Sequence, residues 1–437
     1  MDSLTAHGGG LRLLVDWEPG EGVTSPALAA TWCRLQVQVE GRYVTAVDDH
    51  RTGSMRRGIY TSAYPLAEWV AEHWWLLRRH VRPSAFPRSS WAWSNAPQQP
   101  WLRAHNTRGA GGGMPWPDLT IVPEGAVTRL VWNAGPGLSE QPVTFLTSGQ
   151  THLSSDDVAD ALARFVDQVL VRLEDAGVHD TPLQREWQLI TGSDDDENAF
   201  AAAMARLGRD PFDATDDLAE EVVELADALE PEVLDEFLDS AQPEALRTAL
   251  TWVNRAREMA RTVARPGFEV VEFDRPQGAT SIKEAPWATG YAAARAYRSL
   301  LEVDHDAVFP VSDFVGHTLL SGSAAGIEGV VVVQDVQVGL VLPRGRRGPA
   351  SLRFAQARAL GLSLLTQRSL LLLDPARTDL GKASRAFAAE ILAPAAGIEK
   401  LLADLPETTD SAIDAIADRF KVSPRVVQHQ HENQLAV

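Results

Sequence analysis

The apolar and polar positions of the chain change period several times, and each change predicts an element. "LRLLVDW" (11 to 17) and "CRLQVQVEGRYVTAV" (33 to 47) read as strands, the second folded at a hairpin turn over "EGR" (40 to 42). Residues 65 to 80 set Leu66, Trp69, Val70, Trp74 and Leu77 on one helical face. The glycine-rich segment 105 to 125 has neither the Gly-Lys-Ser/Thr ending nor the following helix of a phosphate cradle, so a flexible or tightly turned loop is expected. From about 152 to 265 the spacing is helical, opening on the Asp-rich cap "SSDD" and broken at Pro231 and Pro243. Beyond it, 285 to 301 reads as an amphipathic helix, 329 to 343 as two strands around a turn at Gln334 and Asp335, and 352 to 367 as a helix followed by a second one containing 384 to 394. Residues 410 to 435 read as helix, short turn at Lys421 to Ser423, and helix, with Ser423 as N-cap and Pro424 at the first helical position.

Composition narrows the classes. The 437 residues suit several domains, and 59 acids against 40 Lys plus Arg give a formal charge of −19. That charge argues against a general nucleic-acid coat. The segment Asp194 to Glu244 holds eighteen acids against Arg206 and Arg209, a net of −16, so most of the excess lies in one helical stretch. A solvated helical surface is the expected meaning, with a docking face for a basic partner as the alternative. A single cysteine, Cys33, excludes a disulfide framework and points to a reducing compartment, the cytoplasm. The first residues lack the basic start and apolar core of a signal peptide, and no apolar run approaches a membrane span, so no membrane partner is expected. Ten of the thirteen tryptophans fall in residues 1 to 150, among them Trp69, Trp74, Trp75, Trp91, Trp93 and Trp101, which calls for a core or a binding surface to cover them.

Two stretches carry more specific information. "RFAQARALGLSLL" (353 to 365) and "SRAFAAEILAP" (384 to 394) resemble, in order and spacing, the stretches "RFTLAHELGHLLL" and "ANRFAAELLMP" of the ImmA/IrrE family of zinc metallopeptidase-like proteins. The resemblance covers roughly residues 280 to 435. It implies a zincin-like fold and, for active relatives, intracellular proteolysis of repressors or antitoxin-like partners in DNA-damage response, mobile-element control or phage defence. The helix of such a site needs two His one turn apart to hold zinc and an adjacent Glu to activate water. The matching positions here are Arg358, Ala359 and Leu362, and the third ligand's place near 381 to 383 has no acid. Arginine stays protonated, and alanine and leucine have no ligand atom. No metal or cofactor is therefore expected at this place, and Arg358 is expected either to stand where the metal charge would be, with Glu390 or Asp379 as counter-ion, or to reach solvent along the helix.

The expected architecture is multidomain α+β. It comprises a Trp-rich α/β domain (1 to 150), an acidic helical domain (151 to 265), a degenerate peptidase-like domain lacking HExxH (266 to 405) and a helix-turn-helix-like tail (406 to 437). The function expected is a catalytically inactive regulatory or scaffold protein that binds a protein partner, with Arg358, Asp379, Glu390 and the loop cations Arg344, Arg346 and Arg347 as candidate contacts. Two alternatives stay open. One is a metallopeptidase with a relocated metal site. The other is a DNA-binding regulator using Arg425, Gln428, His429 and Gln430 of the second tail helix, although nucleic acid is not the favoured partner.

Overall fold

A computed structural model describes residues 9–81, 99–135, 142–264, 286–345, 348–375, 378–403 and 409–435. The fold is mixed α+β, in two compact units, Met1–Thr215 and Asp216–Val437.

In the first unit, β1 (Leu11–Trp17), α1 (Pro26–Ala30), β2 (Trp32–Val39), β3 (Arg42–Tyr43), β4 (Val47–Asp49), β5 (Ser54–Arg56) and β6 (Ile59–Ser62) precede α2 (Tyr64–Glu72) and α3 (Trp74–Arg79). β2 pairs antiparallel with β1 on one side and with β3 and β6 on the other. Alternation dictates this sheet: Cys33, Leu35, Val37 and Val39 are buried while their neighbours are only half-buried. The turn from β2 to β3 falls at Glu40 and Gly41, both with positive φ, the backbone that a two-residue hairpin requires. The segment expected as one helix over 65 to 80 breaks at His73, whose Nδ1 bonds the Trp69 carbonyl at 2.9 Å and intrudes on the helical ladder.

After α4 (Pro100–His105), the segment expected to be a loop is only partly one. Gly111, Gly112 and Gly113 turn through positive φ, and then β7 (Asp118–Pro123) pairs with β8 (Val127–Asn133), which pairs with β10 (Gly149–Ser154). The short β9 (Val143–Phe145) joins β4. Three helices complete the unit: α5 (Ser155–Asp175), α6 (Pro182–Gly192) and α7 (Asp195–Arg206). Trp69, Trp74, Trp75, Trp116 and Trp132 lie in the core these elements share, so the tryptophans there are packing residues; Trp91 and Trp93 lie outside the described residues.

In the second unit, α8 (Asp216–Ala228), α9 (Pro231–Leu238) and α10 (Leu246–Val263) are followed by α11 (Pro286–Leu300), β11 (Val315–Leu320), β12 (Gly329–Gln334), β13 (Gln337–Pro343), α12 (Pro349–Leu365), β14 (Leu370–Leu373) and α13 (Asp379–Leu392). The strands form one mixed sheet in the order β11-β13-β12-β14, with β11 parallel to β13 and the other pairs antiparallel. The chain closes with α14 (Ala395–Ala403), α15 (Asp410–Phe420), α16 (Pro424–Gln430) and one π turn, His431–Leu435.

The four-part division expected from the sequence is not the one observed. The division at Thr215 and Asp216 cuts the acidic helical stretch: α5 to α7 contribute Phe165, Val169, Leu183 and Trp187 to the core of the first unit, and α8 to α10 fall in the second unit. Most acids of the stretch face solvent, as expected, and Glu236 is put to a structural use. Glu236 on α9 accepts from Arg368 at 2.5 Å and from the Leu372 amide at 3.2 Å, and so covers the end of β14. Burial still pushes its carboxyl up to about 7. No helix among the described residues is long and apolar enough to cross a membrane.

α12 and α13 pack closely because Gly361 faces Phe387; a Cβ at Gly361 would stand 2.7 Å from that ring. Substituting Gly361→Leu is expected to lower the stability of the second unit by about 1–3 kcal/mol through overpacking. Urea unfolding followed by circular dichroism measures it.

Candidate functional site

α12 positions Arg358 at the edge of the sheet. Unlike an ordinary surface helix, α12 is apolar nearly all round, and Ala355 to Leu362 are all buried. A charged side chain in such a helix must find its partners within the protein. Arg358 is 5% exposed; its Nη1 donates to Glu328 Oε2 and its Nη2 to the Asp374 carbonyl, both at 2.8 Å. Glu328 immediately precedes β12 and its amide donates to the Leu373 carbonyl, while Asp374 immediately follows β14, so the guanidinium ties α12 to the ends of two paired strands. Arg385 of α13 donates to the same Asp374 carbonyl at 3.3 Å.

This arrangement corrects both expectations for Arg358. The side chain does not run out to solvent, and its carboxylate partner is neither Glu390 nor Asp379. Asp379 sits in the first turn of α13 with Lys382 at 3.8 Å, one turn along its own helix. Glu390 lies elsewhere on α13, only 2% exposed, and is used otherwise. Its Oε1 accepts from Arg295 Nε at 2.8 Å, and its Oε2 accepts from Gln430 at 2.7 Å, Gln434 at 2.9 Å and the Ala395 amide at 3.3 Å. Glu390 therefore joins α11, α13, α14 and the C-terminal helix. Arg298, one turn from Arg295, is buried and donates to the carbonyls of Ile391, Ala307 and Asp304, and burial brings its pKa down to about 10.

The positions that the resemblance gives to a zinc site do not fit a metal. Arg358 is a bound cation, and Ala359 and Leu362 are packed in the apolar core at 0% and 2% exposure. Among the described residues no group of three or more His, Cys, Asp or Glu is arranged to hold a metal ion.

The candidate contact residues separate. Arg344 is exposed just after β13, and Arg346 and Arg347 lie outside the described residues. On α16, Arg425, Gln428 and His429 are exposed, with Gln428 bonded to Glu432. Gln430, expected to contact DNA or protein, is fully buried against Glu390 and the Ala393 carbonyl and cannot reach a partner.

The structure also joins two histidines that look scattered in the sequence. His105 is completely buried, with Nδ1 donating to the Ile121 carbonyl at 3.0 Å, which leaves Nε2 as an acceptor 3.4 Å from His80 Nδ1. Trp101 stacks on His105 at 4.1 Å between ring centroids. Their separation of twenty-five positions hid the pair, and no spacing rule would have found it. Cys33 is likewise buried, its thiol pushed up to about 12 by desolvation, and so is unreactive.

Comparison with protein-family models and with curated proteins finds no match.

Burial holds His80 down to about 4 and His105 well below its usual value. Both favour the neutral ring in the folded state, so their stabilising effect is complete above about pH 6.5 and is lost as pH falls towards 4, by about 3 kcal/mol for His80. Urea midpoints of the wild type and of His80→Gln, measured by tryptophan fluorescence from pH 7.5 to 4.5, are expected to show a steeper acid loss in the wild type.

Proposed function

We propose that the second unit is a degenerate ImmA/IrrE-like peptidase fold and that the chain is a regulatory or scaffold protein that binds a protein partner. The setting suggested by the resemblance is the cytoplasm of a bacterium, in stress response, mobile-element control or phage defence. The observation that carries this reading is Arg358. A helix of the family's sequence pattern holds a buried guanidinium at the first ligand position, neutralised by Glu328 and the Asp374 carbonyl. A permanent cation repels a divalent metal, and its ion pair occupies the groups that would otherwise face one. Ala359 supplies no base to activate water. On this reading the unit keeps a role in binding polypeptide and lacks the means to cut it.

The reading as a DNA-binding regulator is supported less. Gln430 is committed to Glu390, and Glu432 brings a negative charge onto the exposed side of the second tail helix, where phosphate would approach.

Full-length protein purified from the cells that make it, incubated with excess zinc and desalted, is expected to retain well under one zinc per chain by elemental analysis. It is also expected to show no chelator-sensitive turnover of fluorogenic peptides, and to co-elute with a protein partner whose retention survives chelator. One zinc per chain with chelator-sensitive hydrolysis would contradict the reading.

A further inference from the structure

Among the described residues β1 is an edge strand, paired on one side only. Its register with β2 sets which backbone groups face outward. The Glu40 amide bonds the Gly10 carbonyl and the Glu18 amide bonds the Trp32 carbonyl, each at 3.0 Å. Hydrogen-bonded pairs in an antiparallel ladder recur every second residue, so the even-numbered residues from Gly10 to Glu18 point their amides and carbonyls at β2. The amides and carbonyls of Leu11, Leu13, Val15 and Trp17 consequently point away from the sheet. Among the described residues no other strand pairs with β1.

Alongside this edge runs α5. Between them lies an open cleft of about 190 Å³, lined by Leu11 to Leu14 of the strand and by Ala161, Arg164, Phe165 and Gln168 of the helix. The cleft is apolar at its base, where Leu11, Ala161 and Phe165 are buried, and cationic at its rim, where Arg12 and Arg164 are exposed. Neither arginine has a hydrogen-bond or ion-pair partner among the described residues, in contrast with Arg34, which Asp16 engages at 2.7 Å on the same sheet. Leu14 beside them is 36% exposed. Natural edge strands are usually shielded; among the described residues this one offers unpaired backbone groups, an apolar trough and two cations without an ion-pair partner.

We propose that the β1 edge and the adjoining ridge of α5 form a docking groove for an extended acidic segment of a second polypeptide, bound as an added strand. The outward amides and carbonyls supply the ladder. Alternate side chains of the added strand fall on two faces. Apolar ones continue the row of Leu11 and Leu13 against Ala161 and Phe165. Acidic ones on the opposite face meet Arg12, whose guanidinium binds a carboxylate through paired hydrogen bonds, while Arg164 borders the apolar row from α5 and attracts the negative charge of the segment as a whole. The charge of the rim selects an acidic partner over a basic one. This inference rests on the first unit alone and does not depend on the reading of the second.

The test uses the full chain and a fluorescent, end-blocked octapeptide alternating glutamate and valine, titrated by anisotropy. Saturable binding is expected, weakening with added salt. An octapeptide alternating lysine and valine is expected not to bind. The double variant Arg12→Glu/Arg164→Glu, with unchanged circular dichroism, is expected to bind at least about tenfold more weakly. Methylating the peptide nitrogens on every second residue removes donors from one edge only, so one methylation parity is expected to abolish binding and the other to leave it. Absence of saturable binding, equal affinity for the two peptides, indifference to the double charge reversal, or equal tolerance of both methylation parities would overturn the proposal. So would a concentration-dependent dimer that the double variant abolishes, which would make a second copy of this chain the occupant.

Discussion

A single requirement organises the second unit: a guanidinium placed in the middle of an apolar helix has to be neutralised inside the protein. α12 gives Arg358 no route to water, because the residues flanking it are buried on every side. The partners it finds, Glu328 and the Asp374 carbonyl, lie at the ends of β12 and β14, which are themselves paired. One charged group therefore fixes where the helix lies on the sheet. The same requirement supports the proposed absence of metal chemistry, since a place already holding a buried cation is a poor one for a second.

Glu390 solves the mirror problem on α13. A buried carboxylate, joined to Arg295, Gln430, Gln434 and the Ala395 amide, secures the end of the chain to the helices of the unit. Two residues proposed as counter-ions of each other thus belong to separate networks. Each makes its main polar contacts with elements distant in sequence.

Much of the fold was legible because its cause is local. The strand over 11 to 17, the hairpin turn within 40 to 42 and the helix start at Pro424 depend on neighbours and are observed, whereas the strand read over 33 to 47 is broken after Val39 and Ser423 holds the N-cap position without a side-chain hydrogen bond. What was not legible depends on distant partners. β14 is four leucines, a run that fits a buried strand and a buried helix turn equally well. The acidic stretch reads as one helical block, yet its helices are divided between two compact units, a matter of which elements they pack on and not of local period. At the site, the want of any metal-ligating atom in Arg358, Ala359 and Leu362 could be read directly from residue type. The counter-ion could not, because Glu328 lies thirty positions upstream, before a strand rather than on a neighbouring helix. Likewise Gln430 looks like a contact residue until its burial against Glu390 is seen.

A double-mutant cycle on Arg358 and Glu328 tests the central claim most directly, using Arg358→Met, Glu328→Gln and the pair, with unfolding free energies from urea titration. Glu328 is 43% exposed, so solvent discounts the interaction, and a coupling of about 1–3 kcal/mol is expected, with Arg358→Met the costlier single change. Additive effects within about 0.5 kcal/mol, or an Arg358→Met variant as stable as the wild type, would contradict the view that this ion pair holds the helix in place and closes the site.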